Sequence, residues 1–177
     1  MRPYEILASE CLIKANIVDL YRDTILLPNG KTTTREVVRR GRAAAVIAAL
    51  HSGEILFVRQ YRHATGDFQL EIPAGMLEEG EDPAAGAARE LEEETGYRPG
   101  KIRELFSFYS CIGFCDEVLH LFLAEDLTSG TPNPDEDEFV VVETYPKEEA
   151  LRKVLSGEIR DAKTIAGVLY MCQEIHG

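Results

Sequence analysis

The sequence lacks the features of membrane and exported proteins. It contains no apolar run of about eighteen residues, which is the length that a membrane-spanning helix needs. Its first residues do not form the charged, apolar and small-residue pattern of a signal peptide. We therefore expect a cytoplasmic protein.

Basic residues are scarce. Lys and Arg number 19 against 31 Asp and Glu, which gives a net charge of −12 at neutral pH. This balance argues against general binding to nucleic acids or anionic membranes, because both need a basic surface. An anionic small molecule remains compatible with it, because bound metal ions can reverse the sign of the local field.

The four cysteines do not form a zinc-binding pattern. Cys111 and Cys115 have no second pair near them, and Cys11 and Cys172 are isolated. We expect all four to be reduced, partly buried thiols.

The chain does have enough apolar residues for a core. Its 177 residues, 45% of them hydrophobic, predict one compact domain with a small appendage. The turn Pro28-Asn29-Gly30-Lys31 predicts an antiparallel hairpin in the first forty residues. Such a sheet is too thin to bury itself, so we expect it to pack on the main domain or on a second subunit. The predicted division is an N-terminal β-hairpin subdomain over 1–40 and a main domain over 41–177.

The hydrophobic pattern predicts more strands than helices. The continuous apolar run over 43–50 is typical of a strand that is covered on both faces. We predict strands at 4–14, 16–27, 32–40, 43–50, 54–62, 68–72, 101–109, 117–124 and 139–145, and helices at 83–95, 146–156 and 162–175. The predicted fold class is α+β, with an α/β/α sandwich around a mixed sheet.

The predicted helix over 83–95 carries an unusual density of carboxylates. Glu90, Glu93 and Glu94 are spaced i, i+3 and i+4, which places them on one helical face where like charges repel. A divalent cation with oxygen ligands, Mg²⁺ or Mn²⁺, is the natural counter-charge. Asp82 is a suitable N-cap, and Gly96 a suitable C-terminal stop.

The stretch from residue 75 to residue 97 resembles the Nudix box, Gly-x5-Glu-x7-Arg-Glu-apolar-x-Glu-Glu-x-Gly-apolar. A charge-rich helix is usually only a solvated face, but agreement at nine fixed positions is very improbable by chance. The nine matching residues are Gly75, Glu81, Arg89, Glu90, Leu91, Glu93, Glu94, Gly96 and Tyr97.

The resemblance implies hydrolysis of a nucleoside diphosphate that is linked to a second moiety, with two or three Mg²⁺ ions per site. It implies that Glu90 and Glu94 are the main metal ligands, that Glu93 is an additional one, and that the backbone carbonyl of Ala74 is another. Glu81 and Arg89 then orient the loop and the helix.

Segments outside the box resemble the bacterial ADP-ribose pyrophosphatases over most of the chain, among them LFVRQYR, LEIPAGMLEEGE and PDEDEFV. An acidic loop alone would be read as a solvated surface. The resemblance implies instead that Glu136 positions or deprotonates the attacking water, and that Glu138 is a loop ligand for a metal. If Glu136 is not the base, Glu138 or Glu117 is the next candidate.

Substrate contacts are implied in the same way. Arg35 and Arg62 match arginines that approach the diphosphate or the adenosine, and bidentate recognition of phosphate favours Arg. Met76 matches a position whose backbone meets the adenine, and Glu117 one near the terminal ribose or the metals.

Two departures from the subfamily concern the substrate. Members specific for ADP-ribose usually have a proline in a Ser-Pro-Gly-Phe setting, where this chain has Ile112. Some members stack the adenine on an aromatic residue from the partner's N-terminal strand, and the region near Asn16 and Ile17 offers none.

We therefore predict a magnesium-dependent, homodimeric enzyme that cleaves ADP-ribose to AMP and ribose 5-phosphate. One alternative is cleavage of another nucleoside diphosphate sugar, such as GDP-mannose. A second is a module that binds ADP-ribose without cleaving it, which predicts a damaged box, whereas this box is intact.

Overall fold

The computed structural model describes residues 4–133 and 139–173, which form twelve strands and three helices. The elements are β1 (Glu5–Lys14), β2 (Asp19–Leu26), β3 (Thr32–Arg39), β4 (Arg42–Ala49), β5 (Glu54–Arg62), β6 (Asp67–Glu71), β7 (Ala74–Met76), α1 (Pro83–Thr95), β8 (Tyr97–Arg98), β9 (Lys101–Tyr109), β10 (Val118–Glu125), β11 (Thr128–Ser129), β12 (Val140–Pro146), α2 (Lys147–Leu155) and α3 (Ala162–Cys172). Within these ranges no helix is long and apolar enough to cross a membrane.

The chain divides into two compact units. One contains the residues up to Arg42 together with Tyr109–Val118, and the other contains Ala43–Phe108 and the chain from Leu119 onward. The first unit is built on an antiparallel sheet of order β1-β2-β3, in which Gly30 turns the chain between β2 and β3 with a φ of 80°. The 109–118 segment is attached to this sheet by backbone hydrogen bonds between Val38 of β3 and residues 114 and 116.

The second unit is built on a seven-stranded sheet. Five strands run in the order β12-β5-β4-β10-β9, while β6 pairs with β5 and β7 pairs with β4. Successive side chains of β4 point to opposite faces of the sheet. Ala45 and Ile47 therefore join one apolar core, and Ala44, Val46 and Ala48 join another.

Helices cover both faces of this sheet. Ala87 and Leu91 of α1 lie in the core that contains Val46. Ala150 of α2 and Val168 of α3 lie in the core that contains Ile47. The predicted α/β/α sandwich and the predicted antiparallel N-terminal sheet are confirmed.

The structure differs from the sequence prediction in a few places. The short strands β7, β8 and β11 were not predicted, because two or three residues carry too little periodicity. Cys11 and Cys111 are exposed and not partly buried, because the first lies on the exposed strand β1 and the second on a loop. Cys115 and Cys172 are partly buried as expected.

Candidate active site

The local sequence of the box explains the ends of α1. Asp82 caps the helix by accepting hydrogen bonds from the backbone N–H groups of Ala84 and Ala85, both at 3.1 Å. Gly96 ends it in the left-handed region, with a φ of 77°, and its N–H donates to the carbonyl of Glu92. Both ends follow the sequence prediction.

Arg89 is the centre of a network that joins the loop to the helix. Its guanidinium donates to Glu81 at 3.1 Å, to Glu90 at 2.8 Å and to Glu93 at 2.9 Å. It also donates to the backbone carbonyl of Met76 at 3.2 Å. The hydrogen bond with Glu81 and the charge of Glu90 raise the pKa of Arg89, and the pKa of Glu81 is correspondingly lowered. The orienting role predicted for Glu81 and Arg89 is consistent with these contacts.

The carboxylate of Glu90 lies directly over the backbone of β7. A methyl group on Gly75 would overlap both carboxylate oxygens of Glu90, so glycine is required for this approach. Glu94, which is 2% exposed, accepts a hydrogen bond from the backbone N–H of Ala74 at 3.3 Å. The fold therefore brings Glu90 and Glu94 together at the short strand that begins with Ala74.

The chemistry of these groups fits a divalent cation of the magnesium type. The donors are two carboxylates and a nearby backbone carbonyl, and hard cations prefer oxygen ligands. Among the described residues no three Asp, Glu, His or Cys side chains already surround a common point. In this arrangement the guanidinium of Arg89 lies between Glu90 and Glu93 and supplies the counter-charge.

Arg62 is held by a buried carboxylate. It donates from Nε and Nη2 to the two oxygens of Glu71, at 2.7 and 2.8 Å. Glu71 is 3% exposed and also accepts from Nζ of Lys163 at 2.5 Å. Burial by itself would raise the pKa of Glu71, but Arg62 and Lys163 together lower it to about 2.

The remaining predicted substrate residues lie at several places. Met76 ends β7 and is partly exposed. Arg35 lies on β3 of the first unit, where its guanidinium donates to the carbonyl of Thr34. Glu117 belongs to the same unit and forms an ion pair with Arg40 at 2.7 Å.

Glu136 and Glu138 lie outside the described residues. The segment that leads to them is attached to the end of α1, because the N–H of Asn133 donates to the carbonyl of Glu93 at 2.9 Å. An open cleft at this end of the helix is lined by Arg89, Glu92, Glu93, Thr131 and Asn133.

Sequence reasoning did not single out Glu71 and Lys163. The available signal was a glutamate between apolar neighbours in the segment LEIPAG, since a buried carboxylate needs a cationic partner. The partner could not be identified, because Lys163 is 92 residues away in the chain.

Comparison with known proteins places these residues in a family context. The family model described as NUDIX domain matches residues 39–167. An ADP-ribose pyrophosphatase from Bacillus subtilis is 44% identical over 167 residues, which is 93% of this chain and 90% of that protein. A methanol dehydrogenase activator from Bacillus methanolicus is 42% identical, with 92% and 89% covered. An ADP-ribose pyrophosphatase from Mycobacterium tuberculosis is 40% identical, with 94% and 82% covered.

A solved structure gives the same result at the level of the fold. The crystal structure of an ADP compounds hydrolase superposes with a TM-score of 0.86 and covers 96% of this chain and 92% of that chain. At 18% identity this similarity shows the fold alone.

Proposed function

The chain belongs to the Nudix family of hydrolases, and from that premise we propose that it hydrolyses ADP-ribose to AMP and ribose 5-phosphate. The observation that carries the proposal is the convergence of Glu90 and Glu94 on β7, where glycine at position 75 leaves room for the carboxylate of Glu90. Two relatives at 44% and 40% identity carry the name ADP-ribose pyrophosphatase, which supports the choice of substrate.

Nudix hydrolases generally use divalent metal ions. For this chain we propose two or three Mg²⁺ ions, with Mn²⁺ as a substitute, held by Glu90, Glu93, Glu94, Glu138 and the carbonyl of Ala74. When bound, such ions neutralise charge on the diphosphate oxygens. The buried position of Glu94 and the oxygen-only donor set support this assignment.

The remaining site residues are assigned to the attacking water and to the substrate. We propose that Glu136 accepts the proton of the attacking water, and that Arg62 and Arg35 contact the diphosphate or the adenosine. The backbone at Met76 is assigned to the adenine, and Glu117 to the ribose side. Arg62 supports this assignment best, because its side chain is 42% exposed and its pair with Glu71 uses only two of the five N–H donors of the guanidinium.

One departure from the subfamily, at position 112, favours another nucleoside diphosphate sugar as a second candidate substrate. Ile112 stands where ADP-ribose-specific members usually have proline, and its side chain is 78% exposed. Purified protein with Mg²⁺ should therefore be tested on ADP-ribose, GDP-mannose and other nucleoside diphosphate sugars. Release of AMP from ADP-ribose at the highest kcat/KM of the panel supports the proposal, and a preference for another sugar nucleotide contradicts the substrate assignment only.

Variants of α1 test the metal ligands. Glu94→Gln should reduce kcat by at least about a hundredfold, because it removes a ligand charge at the site of phosphoryl chemistry. Glu92→Gln is the matched control, since Glu92 lies on the same helix and pairs with Arg98 at 2.6 Å. Equal activity of the two variants would contradict the metal assignment.

We also propose a cytoplasmic homodimer that forms through the N-terminal sheet. The support is an unusual exposure of apolar side chains on β1, where Ile6 is 59% and Ile13 57% exposed. Strand β1 of a second subunit would cover these side chains.

A further inference from the structure

A compact group of four charged residues lies beside the proposed metal site. Glu71 ends β6 and is almost completely buried, and it accepts hydrogen bonds from Arg62 of β5 and from Lys163 of α3. Lys163 also pairs with Asp161, the N-cap of α3, at 3.1 Å. Two carboxylates thus face two cations, so the group is neutral as a whole.

Among the described residues, the hydrogen bonds of Arg62 use only one side of its guanidinium. A guanidinium has five N–H donors, and Nε and Nη2 each give one to Glu71. The hydrogens on Nη1 and the second hydrogen on Nη2 are not needed for this pair. Because the side chain is 42% exposed while Glu71 is 3% exposed, the guanidinium has a buried side and an accessible side.

The carboxylate that holds Arg62 is itself fixed from α3. Lys163 approaches Glu71 at 2.5 Å, and the neighbouring Thr164 accepts a hydrogen bond from the backbone N–H of Ile72 at 2.9 Å. These two contacts attach the start of α3 to the last residue of β6 and to the residue after it, on the segment that leads to Ala74. An arginine that is held at one end by a fixed carboxylate loses little rotamer freedom when it binds a ligand.

We propose that Glu71 is a positioning residue, which orients the accessible side of Arg62 toward the substrate diphosphate and is itself held in place by Lys163. The inference rests on the proposed function, in which Arg62 contacts the substrate. The charge of Glu94 also raises the pKa of Arg62, after the larger effect of the hydrogen bond with Glu71, which agrees with a guanidinium close to the metal ligands.

The chain contains a matched pair for comparison. Arg59, on the opposite face of β5, donates to both oxygens of Glu143, at 2.5 and 3.1 Å. This pair has the same bidentate chemistry, and within residues 4–133 and 139–173 its further hydrogen bond is with Tyr145, which is not a proposed site residue. Glu143→Gln therefore measures the effect of losing an Arg–Glu pair on this strand without a change at the site.

The test compares Glu71→Gln and Glu71→Asp with Glu143→Gln. Glu71→Gln removes the charge, and Glu71→Asp keeps the charge but withdraws the carboxylate by one methylene group. Both should raise KM for ADP-ribose by roughly tenfold or more, the range expected for a lost charged hydrogen bond, and should change kcat far less. Glu143→Gln should lower the melting temperature and leave KM within about twofold of the parent protein.

A double-mutant cycle separates positioning from a structural role. If Glu71 acts through Arg62, Arg62→Lys should raise KM strongly in the parent protein and only slightly in the Glu71→Gln background. Additive effects of the two substitutions on KM overturn the inference, and so does an unchanged KM in Glu71→Asp. If Glu71→Gln does not fold, the Glu71→Asp variant provides the test. A parent protein without turnover of ADP-ribose contradicts the proposed function instead, and the same KM comparison is then made with the sugar nucleotide that it does hydrolyse.

Discussion

The guanidinium of Arg89 shows how one residue can organise a crowded acidic site. Glu81, Glu90 and Glu93 would repel one another at their observed positions, and Arg89 contacts all three. Because it also donates to the carbonyl of Met76, it joins the helix to the end of β7. The contacts of this one side chain therefore hold the loop and the helix together.

Gly75→Ala should separate stability from activity. The added methyl group would overlap the carboxylate of Glu90, which is the mobile end of a long side chain and can rotate away. We expect little change in the melting temperature and a loss of turnover of about a hundredfold or more, because Glu90, a proposed metal ligand, leaves its place. Gly53→Ala is the control, since its Cβ meets nothing within 4 Å, although its φ of 87° strains the backbone. Gly53→Ala should lose some stability and keep its kcat. A Gly75→Ala variant that keeps its kcat but loses stability would contradict the placement of Glu90.

Glu71 should contribute to the dependence of stability on pH. Its pKa is about 2 in the folded protein against an ordinary value of 4.5, so its contribution is complete above the ordinary value and is lost as the pH falls toward 2. Denaturation by urea at about pH 6 and about pH 3 should show that the parent protein loses more free energy of unfolding than Glu71→Gln over this interval. Equal losses in the two proteins would show that Glu71 is not held as an ion pair.

At the level of elements, the end of α1 is joined to the segment that follows β11. A Cβ on Gly96 would lie 2.7 Å from the backbone N of Pro132 and 2.9 Å from the carbonyl carbon of Thr131. Backbone atoms cannot move aside as a side chain can. The helix end and this segment therefore pack closely only with glycine at position 96.

Gly96→Ala should cost more stability than the same change at the end of α2. Gly157 follows α2 with a φ of 76°, and a Cβ there meets nothing within 4 Å. Gly157→Ala should cost about 1 kcal/mol from backbone strain alone, and Gly96→Ala about 2 kcal/mol or more, because the contact with Pro132 is added. Chemical denaturation of both variants measures the difference, and equal costs would mean that the packing on Pro132 contributes nothing.

The helices and long strands were predictable because their signals are local. The apolar run of β4, the Asp82 cap and the Gly96 stop each depend on neighbours within a few residues. The strand β7 was not predictable in this way. Its three residues form a strand because β4 offers them backbone partners, with Ala45 opposite Ala74 and Ala43 opposite Met76.

At the level of the whole molecule, the exposed apolar residues of β1 allow a test of the proposed homodimer. Ile6→Thr combined with Ile13→Thr keeps β-branched side chains in the strand but makes both positions polar. If β1 forms the dimer interface, the parent protein should have twice the monomer mass in light scattering after gel filtration, and the double variant should shift toward the monomer. Leu155→Gln is the control, because Leu155 is 75% exposed at the end of α2. A monomeric parent protein would contradict the homodimer.

The sequence alone determined the spacing of the carboxylates in the box, the ends of its helix and the sandwich fold. Spacing along the chain decides which side chains share a helical face, and capping acts over one turn. The tertiary structure decided which partners the charged residues have. Arg89 reaches back to the carbonyl of Met76, the backbone of Gly75 lies under Glu90, and Arg62 is held by Glu71 and, through it, by Lys163. These contacts join different elements, and the packing of α1 and α3 on the two faces of the sheet brings them together.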